Sequence, residues 1–209
     1  MIILSLNIRG LGGSTKSRYV RHVIRKEGVE FVCLQETKAN GVTQQKWCSL
    51  WGSNKIGWLH LEGDNGGGCL LSMWYEDAFS YESHIMGKGY IAVFGKNRVS
   101  NLSCVIVNVY TACNLRDKKA LWEELSSVKR AYQDKVWCVC GDFNAVKSQC
   151  ERKGIRDMAD QAKEIEGFNS FIDTNALLDL PLVGKKFTWF KANGSVKSRL
   201  DRVLMSEEW

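Results

Sequence analysis

The chain has 209 residues, 44% of them hydrophobic, with eight Trp, eight Phe and six Tyr; that is enough apolar material for one globular domain spanning residues 1–209, and it excludes disorder as a description of the whole. Lysine and arginine outnumber aspartate and glutamate 29 to 23, a formal net charge of +6 that is compatible with a polyanionic partner and equally with plain solubility. One proline, Pro181, against nineteen glycines excludes collagen-like and proline-rich classes, and eight cysteines without paired CxxC spacing read as reduced thiols of an intracellular protein.

The run Ile2 to Ile8 is rich in β-branched and apolar residues and ends at Gly10, Gly12 and Gly13, so it reads as a buried strand stopped by a turn. It is too short and interrupted for a signal peptide, and no run of about 18 apolar residues occurs anywhere, so no membrane span or membrane partner is expected. Lys16 to Glu27 carries Tyr19, Val20, Val23 and Ile24 at helical spacing, and Gly28 stops it. Val29 to Leu34 is a second buried strand that runs into Gln35 and Glu36. Gly66-Gly67-Gly68 lacks the Lys-Ser/Thr of a phosphate loop and reads as a bulge or turn. Cys69 to Tyr75, Tyr81 to Ile85 and Tyr90 to Phe94 look like a meander of short strands.

The opening order then returns. Leu102 to Tyr110 is a strand, Asp117 to Tyr132 a helix with Leu121, Trp122, Leu125 and Val128 inward, and Val136 to Cys140 a strand that places Cys138 and Cys140 on one buried face. In both copies the first strand carries an asparagine near its end (Asn7, Asn108) and the second runs into an acid (Glu36, Asp142). Two such strand-helix-strand units would deliver these groups to one rim of a layered sheet structure. Ala162 to Ile172 reads as a further helix, and Phe187–Phe190 with Ser198–Leu204 as strands flanking an Asn193-Gly194 turn. The alternation predicts an α/β sandwich with mixed sheets.

Gly141-Asp142-Phe143-Asn144 places an acid and an amide two apart after a strand, which suits either a plain turn or a pair aimed at one space. Glu36 is a lone acid at a strand end, but magnesium is often held by only one or two carboxylates plus water and phosphate. Lys185, Lys186, Lys191, Lys197, Arg199 and Arg202 interleave with Phe187, Trp189 and Phe190, as in a basic wall for nucleic acid or an ordinary hairpin with its aromatics, Phe187 and Trp189 above all, in the core.

Taken in order, Ser5-Leu6-Asn7-Ile8-Arg9-Gly10-Leu11, Leu34-Gln35-Glu36-Thr37-Lys38, Asn108-Val109-Tyr110, Gly141-Asp142-Phe143-Asn144 and Ser198-Arg199-Leu200-Asp201-Arg202 resemble the successive motifs of the endonuclease/exonuclease/phosphatase superfamily. Asp179-Leu180-Pro181-Leu182-Val183-Gly184 followed by Phe187-Thr188-Trp189 looks most like the endonuclease domain of plant LINE-type non-LTR retrotransposons. The resemblance implies a deoxyribonuclease I-like, four-layered α/β sandwich with two mixed β-sheets and a Mg2+-dependent (or Mn2+-dependent) DNA endonuclease. It implies Glu36 as the metal ligand and Asn7 beside it, Asp142 activating the attacking water, Asn144 holding a phosphoryl oxygen, Tyr110 on the scissile phosphate, and Asp201 orienting a histidine. Arg9, Lys38, Asn114, Lys185, Lys186, Lys191 and Arg199 would contact DNA. A monomer in the nucleus, with a reverse transcriptase domain in cis in the parent element, completes what the resemblance implies.

The match departs at one point: the family's closing Ser-Asp-His motif is not present before Trp209, and His22, His60 and His84 lack its context. The expectation is therefore a sheet without its last strand, marginal stability and impaired catalysis. A non-catalytic nucleic-acid-binding relic and a small-molecule phosphatase of the same superfamily stand as alternatives.

Overall fold

A computed structural model describes residues 1–39, 43–63, 69–154 and 159–209; the Gly66-Gly67-Gly68 turn lies outside them. The first unit is β1 (Ile3–Asn7), α1 (Ser14–Glu27) and β2 (Phe31–Gln35), followed by α2 (Gln44–Trp51), β3 (Ile56–Leu61) and β4 (Leu70–Tyr75). Next come β5 (Phe79–Gly87) and β6 (Tyr90–Asn97), then the second unit, β7 (Ser103–Tyr110), α3 (Leu115–Ala131) and β8 (Val136–Asp142). The remainder is β9 (Arg152–Lys153), α4 (Ala159–Thr174), β10 (Leu178–Asp179), β11 (Trp189–Phe190), β12 (Lys197–Ser198) and β13 (Asp201–Met205). Among the described residues no helix is long and apolar enough to cross a membrane.

The strands form a four-stranded sheet in the order β1-β2-β4-β3 and a six-stranded sheet in the order β10-β13-β8-β7-β6-β5. Both are mixed: β1 with β2 and β7 with β8 are parallel, as a helical crossover requires, and the other pairings are antiparallel. A third, small sheet, β11-β12-β9, adds to the expected two. Within the four-stranded sheet β1 has β2 as its one neighbour.

Three apolar clusters define four layers. Val20 and Ile24 of α1 and Trp47 and Leu50 of α2 pack on the outer face of the smaller sheet against Val32, Leu34 and Met73. Leu121, Trp122 and Leu125 of α3 with Phe168, Phe171 and Ile172 of α4 cover the outer face of the larger sheet. Phe31, Cys33, Trp74, Phe79, Ile91, Ile106 and Cys140 fill the space between the sheets. The helices end where local chemistry ends them. Gly28 takes the left-handed conformation (φ 63°) and returns its N–H to Ile24 O, while the Asn114 side chain accepts the Asp117 N–H at the start of α3.

The layer between the sheets changes character toward one end. Phe31, Cys33 and Gln35 alternate inward along β2, and Ser5, Ser72, Cys140 and Asn108 meet them from β1, β4, β8 and β7. Gln35 Nε2 donates to Asn108 Oδ1 at 2.7 Å, and Asn108 Nδ2 donates to Leu34 O and Leu71 O at 3.2 and 3.0 Å, so a fully buried carboxamide pair ties one sheet to the other. Asn108 was expected at the rim with Asn7; it lies one side-chain layer below, because Tyr110, two residues on, takes the strand end.

α2 and β3 fall outside the sequence reading, although Trp47, Leu50 and Trp51 are buried at i, i+3 and i+4. Phe187 and Trp189 were read as core and are only half-buried, since the strand that carries Trp189 is two residues long and belongs to the small third sheet.

Candidate active site at the rim between the sheets

The parallel units bring their acids together as the repeat implies. Asn7, at the end of β1, donates one amide nitrogen to Glu36 Oε1 at 2.8 Å and to Asp142 Oδ2 at 2.9 Å, so a single carboxamide joins acids carried by different sheets. Its Oδ1 accepts the Arg9 N–H at 3.2 Å. The other Asp142 oxygen accepts the Asn144 N–H at 3.0 Å, and Asn144 Nδ2 donates to Thr111 O at 2.7 Å. Tyr110 is the β7 residue in register with Asp142, and Asp201 of β13 is opposite Asp142 on the other side. Asn7, Glu36, Tyr110, Asp142, Asn144 and Trp189 line a cleft of about 360 Å3, and Asp201 lines a neighbouring cavity that shares Asn7, Asp142 and Trp189 with it.

The backbone here is held in an unusual state. Among the described residues six non-glycine residues have positive φ, and four of them, Arg9 (49°), Glu36 (53°), Lys38 (50°) and Asn144 (46°), stand at this rim. Each costs on the order of 1–2 kcal/mol that the surrounding contacts must offset, a pattern that marks functional positions. The offsetting bonds are visible: Ile8 N, Gly10 N and Leu11 N bond Gln35 O, Glu36 O and Thr37 O, and Lys16 Nζ donates to Ile8 O and Arg9 O. Gly141 belongs to the same apparatus. Its φ is +142°, and a Cβ there would lie 2.0 Å from Val109 O, so only glycine lets β8 approach β7 closely enough to place Asp142.

Burial and neighbouring charge set the ionisation. Burial raises the Asp142 carboxyl above its ordinary range, opposed by the hydrogen bonds from Asn7 and Asn144, with Glu36 adding a smaller upward push. Asp201 is pushed up to about 6, chiefly by burial and then by the charge of Asp142, against a hydrogen bond from Thr188. Burial and the carboxylates of Glu36 and Asp142 raise the Tyr110 phenol, which stays protonated and able to donate.

The expected nucleic-acid residues divide. Arg9 and Lys38 are exposed side by side at the rim, and Lys185, Lys186 and Lys191 are exposed on the segment flanking β11. Lys186 Nζ lies 6.0 Å from the Phe187 ring centre and Lys197 Nζ 6.0 Å from that of Phe190. Asn114 is exposed but engaged as the α3 cap. Arg199 departs from the expectation of a free surface donor: its guanidinium bonds Asp179 Oδ1 at 2.8 Å and Glu151 Oε1 at 3.2 Å, and Arg202 bonds the remaining oxygens of the same two acids. This closed ring of two arginines and two carboxylates leaves Arg199 to hold the loops rather than to reach outward.

Trp189, weighed above between core and nucleic-acid contact, lines the cleft. Two contributors were not anticipated: the Thr188 hydroxyl accepts the Leu200 and Asp201 N–H groups at 3.0 Å, and Lys118 and Glu164 form a close pair beside Asn144. The last had a signal: Lys118 falls in step with Leu121, Trp122 and Leu125, and Glu164 with Phe168 and Phe171, so each helix carries one charge on its apolar stripe. The histidines lie elsewhere, His22 on α1, His60 on β3 against Trp47 and His84 on β5 beside Tyr81.

No curated protein sequence matches this chain. Solved structures do. An AP endonuclease from Leishmania major superposes with a TM-score of 0.74 at 14% identity, over 98% of this chain and 78% of that one. The endonuclease domain of TRAS1, a telomere-specific non-LTR retrotransposon, gives 0.69 at 13% identity over 99% and 85%. A mannosyl-6-phosphatase of Bacteroides thetaiotaomicron gives 0.65 at 14% identity over 98% and 85%. At these identities the likeness is one of fold. The family model described as endonuclease/exonuclease/phosphatase matches residues 4–209, and the chain belongs to that family.

Proposed function

We propose that this chain is a phosphodiester hydrolase acting on DNA with Mg2+ (or Mn2+), the endonuclease part of a LINE-type element that works on nuclear DNA beside a reverse transcriptase. The observation that carries the reading is the Asn7 amide shared by Glu36 and Asp142, which holds two carboxylates at one point of a cleft flanked by exposed cations. Among the described residues no three His, Cys, Asp or Glu side chains gather as a metal cluster. The acid pair with a carboxamide nonetheless fits Mg2+, which keeps most of its waters and needs few protein ligands. Glu36 would hold the ion, and a half-turn of the Asn7 amide would present Oδ1 to it in place of the amide hydrogens. When bound, the ion supplies neutralisation of charge developing on the phosphate.

The chain's own residues do the rest. Asp142, its carboxyl raised by burial yet held by Asn144 N–H, takes the proton of the attacking water and fixes its direction. The second Asn144 amide hydrogen and the Tyr110 hydroxyl donate to phosphate oxygens as they gain charge. Arg9, Lys38, Lys185, Lys186 and Lys191 draw the DNA backbone to the cleft.

Nicking of supercoiled plasmid in Mg2+, abolished by Asp142→Ala and lost with weakened Mg2+ binding in Glu36→Gln by calorimetry, is the expected result. Salt-sensitive DNA binding without any cleavage would support the relic instead. Release of phosphate from small phosphorylated molecules with intact plasmid would favour the phosphatase reading that the mannosyl-6-phosphatase likeness keeps open.

A further inference from the structure

Low in the wall of the cleft sits a group of charges largely withdrawn from solvent, formed by Lys118, Arg152 and Glu164. Lys118, in the first turns of α3, is 2% exposed; its ammonium donates to Asn144 O at 2.6 Å and pairs closely with Glu164 Oε2 of α4. Glu164 Oε1 in turn meets Arg152 NH1 at 3.3 Å, and Arg152 Nε reaches Ser198 Oγ at 3.3 Å. Burying a lysine and a glutamate is costly, and a well-packed apolar pair would serve the α3–α4 contact at least as well. What an apolar pair cannot do is hold a carbonyl. Asn144 is the one rim residue after β8 with a left-handed backbone, and its three tethers run to Asp142, Thr111 and Lys118. The first two come from the strand ends; Lys118 alone comes from a helix and fixes the peptide plane beyond Asn144.

We propose that Lys118 is a positioning residue for the cleft. Its ammonium, oriented by Glu164, locks the Asn144 carbonyl so that the Asn144 side-chain amide and the N–H that restrains Asp142 keep their aim. This rests on the reading of Asn144 as a donor to the phosphoryl oxygen. With the carbonyl released, the peptide relaxes toward ordinary φ, and the donor points away from the reacting phosphate without leaving the DNA-binding surface. The loss should fall on kcat and spare KM.

The test compares wild type, Lys118→Met and the double variant Lys118→Met/Glu164→Met, which leaves no unpaired buried acid and so keeps a folded protein in hand. In Lys118→Met, kcat for plasmid nicking should fall roughly tenfold or more with KM for DNA within about twofold. Hydrogen exchange at the Asn144 amide should accelerate about tenfold while that at Val139, in mid-strand, is unchanged. The double variant should melt above Lys118→Met and still show both losses. Unchanged kcat and unchanged Asn144 exchange in a folded variant would overturn the proposal. So would losses that track melting temperature and vanish in the double variant. Should wild type not nick at all, the hydrolase reading fails, and the Asn144 exchange alone decides whether Lys118 positions it.

Discussion

Asp201→Asn should stabilise the fold at neutral pH and do nothing in acid. The Asp201 carboxyl is raised from 3.8 to about 6, mainly because it is buried and secondly because Asp142 faces it across the β8–β13 pair. A rise of that size corresponds to about 3 kcal/mol of unfavourable charge in the folded state once both acids are ionised. The folded chain holds this proton more tightly than the unfolded chain. Its contribution is therefore favourable below about pH 4 and is lost as pH rises through about 6, the reverse of a salt-bridged acid. An amide is permanently uncharged and keeps an oxygen for the Thr188 hydroxyl. Urea unfolding at pH 8 should show the variant more stable by about 2–3 kcal/mol, or a melting point higher by roughly 5–10 °C, and at pH 4 the two proteins should coincide. Added Mg2+ should narrow the difference at pH 8 by offsetting the charge of Asp142. A variant equally or less stable at pH 8, or stabilised by the same amount at both pH values, would refute the argument.

Three further outcomes are expected. Gly141→Ala should destabilise by roughly 3 kcal/mol or more in urea unfolding, since the new methyl meets Val109 O at 2.0 Å; a loss under about 1 kcal/mol would mean β7 and β8 separate easily. Asn108→Ala should cost about 3 kcal/mol by the same measurement, because it takes a buried donor from Leu34 O and Leu71 O and the shortest of its acceptors from Gln35 Nε2, whereas the exposed Asn114 cap should cost about 1 kcal/mol. Lys185→Ala with Lys186→Ala should weaken DNA binding and lower the slope of log affinity against log salt by about 1.8, read by fluorescence anisotropy, while Arg199→Ala should act on stability instead. An unchanged slope would remove the β11 flank from the interface.

The parts of the fold that were legible share one trait: they are periodic and local. The two strand-helix-strand units could be read because Val20, Ile24, Leu121, Trp122 and Leu125 repeat at helical spacing and because Ile3–Asn7 and Phe31–Gln35 are short apolar runs. The acids and amides of the site were legible as strand-end residues, Asn7, Glu36, Asp142 and Asn144, since a strand end is where a side chain can be both fixed and wet. Arg199 and Asn114 were misjudged in weight for the opposite reason. Their partners, Asp179, Glu151 and Asp117, are brought to them by loop and cap geometry, and an arginine closed in a ring of acids has the same spelling as one reaching for phosphate. Lys118 and Glu164 sit between these cases, each visible as a charge on an apolar stripe but joined only when α3 packs on α4.

The graded layer between the sheets has a consequence for the acids above it. From Phe31 and Trp74 through Ser5, Cys33, Ser72 and Cys140 to Gln35 and Asn108, each step toward the cleft is more polar than the last. Glu36 and Asp142 therefore rest on oriented dipoles rather than on hydrocarbon, and the protein carries beneath its cleft a medium of intermediate permittivity whose response is fixed in advance. Loss of the hydroxyl in Ser72→Ala, at a fully buried position, would touch nothing at the rim, yet it would thin that medium and shift the proton affinity of Asp142. The acidity of the cleft can thus be tuned from two layers down, by side chains that no substrate ever meets.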